Sequence, residues 1–189
     1  MTDFRNSKYK VNPLILNRHS PRAMNGEDIT KEQLMTIFEA GRFAPSAYNG
    51  QPWKFLFSFK KGKDWDLFFE PLIDFNKSWV INGSVLVVIT SDQFLFDRKS
   101  ETNQFDAGAS WQNMALQAYD MGLVIHGMSG FDYNKIRSNL DIPESYDVLA
   151  MFVVGKPASK DVLPKDLQEK EVISDRKDLL EIFIEGKFK

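Results

Sequence analysis

The sequence predicts an α/β or α+β three-layer sandwich, with helices packed around apolar central strands. Three observations predict it. Residues 52–60 alternate: Trp53, Phe55, Phe57 and Phe59 point one way, and Lys54, Leu56, Ser58 and Lys60 the other, which is the period of a strand. Residues 85–90 (VLVVIT) and 148–154 (VLAMFVV) are short apolar runs rich in β-branched side chains, the composition of central strands covered on both faces. Residues 30–42 and 103–121 carry helical spacing, and helices mixed with such strands give a layered sandwich.

In chain order, the first helix spans 30–42. Thr30 is its N-cap, Gln33 stands at the capping-box position, and Ile29 and Leu34 occupy the positions of a hydrophobic staple. Leu34, Ile37, Phe38 and Gly41 share one face, and the helix ends before Pro45. After the strand at 52–60, Lys61-Gly62-Lys63-Asp64 reads as a turn, with residues 65–69 returning as the second strand of a hairpin. The helix at 103–121 has apolar residues nearly all the way round, so it is expected to be buried inside the domain or against a second subunit, with Gly122 at its C-terminal cap. Asp132 caps a further helix through Leu140. The whole chain, 1–189, reads as one domain with a C-terminal arm over about 160–189, whose Leu179, Leu180, Ile182, Phe183 and Ile184 need cover from another surface.

Composition narrows the function. Lys and Arg number 24 against 26 Asp and Glu, so a net charge of −2 argues against a general nucleic-acid binder. No apolar run is long enough for a membrane span and the first five residues lack a signal-peptide core, so a cytoplasmic location is expected. The absence of cysteine excludes disulfides, thiolate nucleophiles and Fe–S clusters, and two distant histidines, His19 and His126, make no metal site. Aromatic residues reach 13%, suiting a well-filled core first and a pocket for a flat ligand second.

No G-x-G-x-x-G or Walker sequence is present. Gly127-Met128-Ser129-Gly130 is not a nucleophile elbow, because glycine follows the serine directly. Two motifs carry chemistry. Arg18-His19-Ser20-Pro21-Arg22 places two forked cations around a hydroxyl, donors suited to a phosphate, against the plainer reading of a solvated basic turn. Residues 44–53 (APSAYNGQPW) join helix to strand through an irregular backbone, in which Asn49 offers a donor and an acceptor to the edge of a heteroaromatic ring.

These motifs, with their spacing, closely resemble the FMN-dependent nitroreductase family. Phe105-Asp106-Ala107-Gly108-Ala109 with Gln112-Asn113 is similar to its central-helix pattern. His126-Gly127-Met128-Ser129-Gly130 is similar to the strand and turn beside the flavin, and Ile142-Pro143 with Val154-Gly155-Lys156-Pro157 to its closing strand. The resemblance spans about residues 14–184 and implies an α+β fold with a central mixed sheet flanked by helices, and a homodimer with two FMN sites at the subunit interface. By it, Arg18, Ser20 and Arg176 would hold the phosphate and ribityl chain, with His19 alongside. Arg22 would lie near the pyrimidine end. Pro45, Ser46, Ala47 and Asn49 would line the ring, and His126, Gly127, Met128 and Ser129 would face its N5 side. Gln104 would reach in from the partner, and Phe75, Trp79, Phe94, Phe96 and Phe105 are candidates for a pocket roof.

The implied activity is an NAD(P)H oxidoreductase: the nicotinamide gives hydride to FMN and leaves, and a small electron-poor acceptor (nitroaromatic, quinone, enone or flavin) takes it up. The flavin does the chemistry, so no protein nucleophile or metal is needed, and Arg22 serves as electrostatic support. The alternatives are a flavin-binding sensor or interaction protein without turnover, and a specialised member that cleaves flavin or dehalogenates.

Overall fold

The computed structural model describes residues 5–188; residues 1–4, where no signal-peptide core is expected, lie outside them. The chain opens with α1 (Pro13–Asn17), where the Asn12 side chain accepts from the Leu14 N–H and proline starts the helix. α2 (Lys31–Arg42) starts at the capping box read from sequence: the Gln33 N–H donates to Thr30 Oγ1 (3.1 Å) and the Thr30 N–H to Gln33 Oε1 (2.9 Å). Ile29 and Leu34 are both buried in one cluster, as a staple requires. β1 (Trp53–Phe59) follows, with Trp53, Phe55 and Phe59 packing on one core and Leu56 on the other.

Residues 65–69 depart from expectation. They form α3 (Trp65–Phe69), not the return strand of a hairpin. Trp65 and Phe69, four apart, stack at 5.7 Å, and Trp65 and Phe68 are buried. Five residues are too few for helical and strand periods to separate by pattern, and here the spacing of four wins because it puts three rings on one core. α4 (Asp74–Val80) brings in the buried Trp79 and Val80. β2 (Val85–Asp92) is the central strand, buried almost throughout. A small hairpin, β3 (Phe94–Leu95) and β4 (Arg98–Lys99), turns through Phe96 and Asp97, both at positive φ.

α5 (Asn103–Asp120) ends in a Schellman motif: the Leu123 N–H bonds to Ala118 O (2.9 Å), the Gly122 N–H to Tyr119 O (3.0 Å), and Gly122 takes φ +69°. β5 (Val124–Met128), α6 (Tyr133–Asn139, capped by Asp132) and β6 (Tyr146–Gly155) follow. Beyond them lie α7 (Lys165–Gln168) and α8 (Leu179–Ile182).

The main sheet has the order β1-β2-β6-β5. Every pairing in it is antiparallel, so the central sheet is not mixed within the described chain. Alternate residues of β2 serve opposite layers: Leu86 and Val88 join α3, α4 and α6, whereas Val85, Val87 and Ile89 join α2 and α5. β6 does the same with Met151 and Val153 against Phe152 and Val154. Two cores on one sheet make the expected three layers. α2 meets α5 closely at Gly41, where a Cβ would stand 2.8 Å from Met114 Cγ, and Ser110 Oγ donates to the Gly41 carbonyl (2.9 Å).

Two surfaces lack cover from the described residues. Phe105 on α5 is 80% exposed and Gln104, Gly108 and Gln112 are exposed, so the expected all-round burial of this helix is not met within one chain. The second surface is a groove of about 730 Å³ that runs along the unpaired edge of β1, with Met35, Phe38, Phe55, Phe57, Ile142 and Pro143 among its walls. The arm begins later than expected, since Leu163 and Leu167 are buried in the chain's own core. Past Gln168 its Val172, Leu180, Phe183 and Phe188 stand out into solvent. Among the described residues, no helix is long and apolar enough to cross a membrane.

Candidate functional site

The basic turn after α1 is clasped from both ends of the chain. Arg5 Nη1 donates to the carbonyls of Leu16 (2.7 Å) and Arg18 (3.0 Å), and Arg5 Nε to that of Ser174 (2.8 Å). Arg18 Nη1 donates to Ser20 Oγ (3.1 Å), which orders the forked cation and the hydroxyl together. Arg176 Nη1 is fixed by Ser174 Oγ (3.0 Å) and the Asp175 carbonyl (3.0 Å). Burial lowers the Arg18 pKa first, and the proximity of Arg176 and Arg5 lowers it further. Three cations that raise one another's energy, with a hydroxyl between them, form a site that favours an anion.

These groups line a cavity of about 430 Å³ with His19, Arg22 and His126. His19 Nδ1 lies 3.1 Å from the Asn17 carbonyl. His126 Nδ1 lies 3.1 Å from the Pro21 carbonyl, which can only accept, so the hydrogen sits on Nδ1. Burial lowers the His126 pKa, so the ring is neutral near pH 7, and it packs 4.7 Å from Trp79. Arg22 is half-buried. Its Nε has no hydrogen-bond partner among the described residues, and its guanidinium lies 6.0 Å from the Trp79 ring.

A second cavity, of about 420 Å³, shares Arg18 and Ser20 with the first and continues along the end of β5 past Gly127, Met128 and Ser129 to Trp111 and Gln112. Gly127 fits closely there: a Cβ would sit 3.1 Å from the Trp111 ring, which packs 4.9 Å from Phe152 and would have to shift by a few tenths of an ångström. A charged anion pocket thus opens onto a shelf floored by backbone and an indole, a shape suited to a planar ring carrying a phosphate tail.

The structure therefore brings together Arg18, His19, Ser20, Arg22, His126, Gly127, Met128, Ser129 and Arg176. It does not bring Pro45, Ser46, Ala47, Asn49 or Gln104 to those cavities within one chain. The 46–51 segment is braced on α5, with the Ala47 N–H donating to Asp106 Oδ2 (3.1 Å), and Tyr48, Asn49 and Gln51 all hold positive φ. Strain of that kind costs about 1–3 kcal/mol per residue and persists where surroundings enforce it. Gln104 instead donates to Asp147 Oδ2 (3.2 Å). Of the roof candidates, Trp79 is buried beside His126, while Phe75, Phe94, Phe96 and Phe105 are exposed.

Sequence reasoning missed Arg5, Trp111 and Glu171 as wall residues of these cavities. Glu171 reaches the turn across 149 residues, and Arg5 ties the turn to Ser174, 169 residues on, which no local pattern reveals; Trp111 was legible only as an apolar helix residue.

A profile of the Nitroreductase family matches residues 15–74 and 63–156. A protein of Archaeoglobus fulgidus, provisionally described as an NADH dehydrogenase/NAD(P)H nitroreductase, is 26% identical over 149 residues, covering 76% of this chain and 83% of that one. Among solved structures, an oxidoreductase containing FMN is 41% identical with a TM-score of 0.95, covering 100% of this chain and 98% of the other. A nitroreductase of Desulfovibrio desulfuricans, solved in complex with FMN and also provisionally described, is 25% identical with a TM-score of 0.75, covering 95% of this chain and 100% of its own. Shared fold and shared sequence thus extend over the same residues that build the two cavities, and the chain belongs to the nitroreductase family.

Proposed function

We propose that the chain is an FMN-dependent NAD(P)H oxidoreductase that passes a hydride to a small electron-poor acceptor, and that it works as a homodimer. The observation that carries this reading is the arginine–serine cavity opening directly onto the Gly127–Trp111 shelf. The donor set suits the cofactor: Arg18, Arg176 and Ser20 would hold its phosphate, and the flat shelf its ring. The FMN-containing structure at 41% identity supports the assignment. When bound, FMN supplies the two-electron redox chemistry.

The chain's own residues then have separate tasks. Arg22, half-buried in the wall of the anion cavity, would hold a positive charge near the pyrimidine end of the cofactor and so favour its electron-rich form. Neutral His126, pinned through Nδ1 to the Pro21 carbonyl, would add no competing cation. Gly127 lets the Trp111 ring pack against the β5 backbone, which would keep the shelf flat for the cofactor ring. Pro45, Ser46, Ala47, Asn49 and Gln104 lie outside this chain's cavities and would serve the site of a second copy, whose packing would also cover the exposed face of α5 and the C-terminal arm.

Purified protein should be yellow, or gain flavin absorbance when FMN is added. Anaerobic NADH or NADPH should bleach it, and a small quinone or nitroaromatic should restore the colour. A colourless protein that takes up no FMN refutes the reading. A yellow protein that neither nicotinamide bleaches would favour a flavin-binding module without turnover.

A further inference from the structure

We infer that Glu171, a residue of the C-terminal arm, is a positioning residue that damps the charge of Arg22 and thereby sets the potential of the flavin site; this rests on the FMN reading above. Glu171 reaches back from the arm to the basic turn, and its side chain is only 10% exposed. Its Oε1 accepts from two successive backbone N–H groups, those of Arg22 (2.5 Å) and Ala23 (2.8 Å). Its Oε2 stands 3.7 Å from Arg22 Nη1.

The carboxylate therefore does two separable things. As an acceptor it fixes the backbone of the turn that carries Ser20 and Arg22. As an anion within ion-pair range of a half-buried guanidinium, it cancels part of the field that Arg22 projects into the cavity, and its own burial limits how far solvent screens the pair. An amide in its place keeps the acceptor and discards the charge. This distinguishes Glu171 from a merely structural brace, which would need only the acceptor.

The test is the midpoint potential of bound FMN, measured by dye-coupled spectrophotometric titration of the full chain, with FMN affinity of the oxidised protein alongside. Glu171→Gln should favour reduced over oxidised FMN by about tenfold, a rise of about 30 mV for a two-electron couple, with oxidised FMN still bound. Glu171→Asp keeps the anion and should change that ratio by less than twofold, whether or not the Gln variant folds. A Gln variant that binds FMN at an unchanged potential, or an Asp variant with a shift as large as that expected for Gln, overturns the role of Glu171 and leaves the FMN reading standing. Failure of the wild-type protein itself to bind FMN overturns both.

Discussion

At the scale of single residues, the site rests on a few donors whose loss has distinct signatures. Arg18 is half-buried beside two other guanidinium groups and is tied to Ser20. Arg18→Ala should weaken FMN binding by about 1.5–3 kcal/mol, the range for a charged hydrogen bond, while the circular dichroism spectrum stays native; unchanged affinity in a fluorescence titration would refute its assignment. Gly127→Val should cost about 1–3 kcal/mol of stability in a denaturant titration, since its side chain meets the Trp111 ring. His126 makes a pH prediction. Burial holds its folded-state pKa below the ordinary 6.5, so as pH falls through 6.5 the unfolded chain takes up a proton that the folded chain refuses. Stability contributed by the neutral ring is therefore present above that pH and lost below it. Thermal midpoints should fall between pH 7 and pH 5, and His126→Gln should flatten that slope.

At the scale of elements, caps and periods decided what could be read in advance. Thr30 and Gln33 form the complete reciprocal cap of α2, and Thr30→Ala should cost about 1 kcal/mol in a chemical melt. β1, the half-buried edge strand, announced itself by alternation, and Gly122 by its place after α5. α3 did not, because in five residues a Trp and two Phe satisfy either period, and only the core they meet chooses. The β3–β4 hairpin was silent for another reason: its turn holds Phe96 and Asp97 at positive φ where glycine or asparagine would have signalled it. Of the proposed site, the Arg18-to-Arg22 turn stands out as a continuous basic motif, whereas the 126–129 segment reads by itself as a turn after a strand and was placed only by its resemblance to the family pattern. Glu171 and Arg5 were not, because each acts across a separation set only by the fold.

At the scale of the whole molecule, the uncovered surfaces and the proposed shared site make the same demand. Phe105, Tyr48 and Phe96 are each more than 70% exposed, as are Leu180 and Phe188 on the arm, and burying such side chains against a second copy would be favourable. Light scattering should give twice the chain's mass, and truncation after Gln168 should lower it or provoke aggregation; a stable monomer with full FMN affinity would refute the shared site. The clasp of Arg5 on Ser174 adds a thermal consequence. The anion pocket is closed by the chain's two extremities, and such peripheral segments melt before central strands do. Warming should therefore release the dye well ahead of global collapse, so that free-flavin fluorescence climbs while the sheet's far-ultraviolet signal still stands.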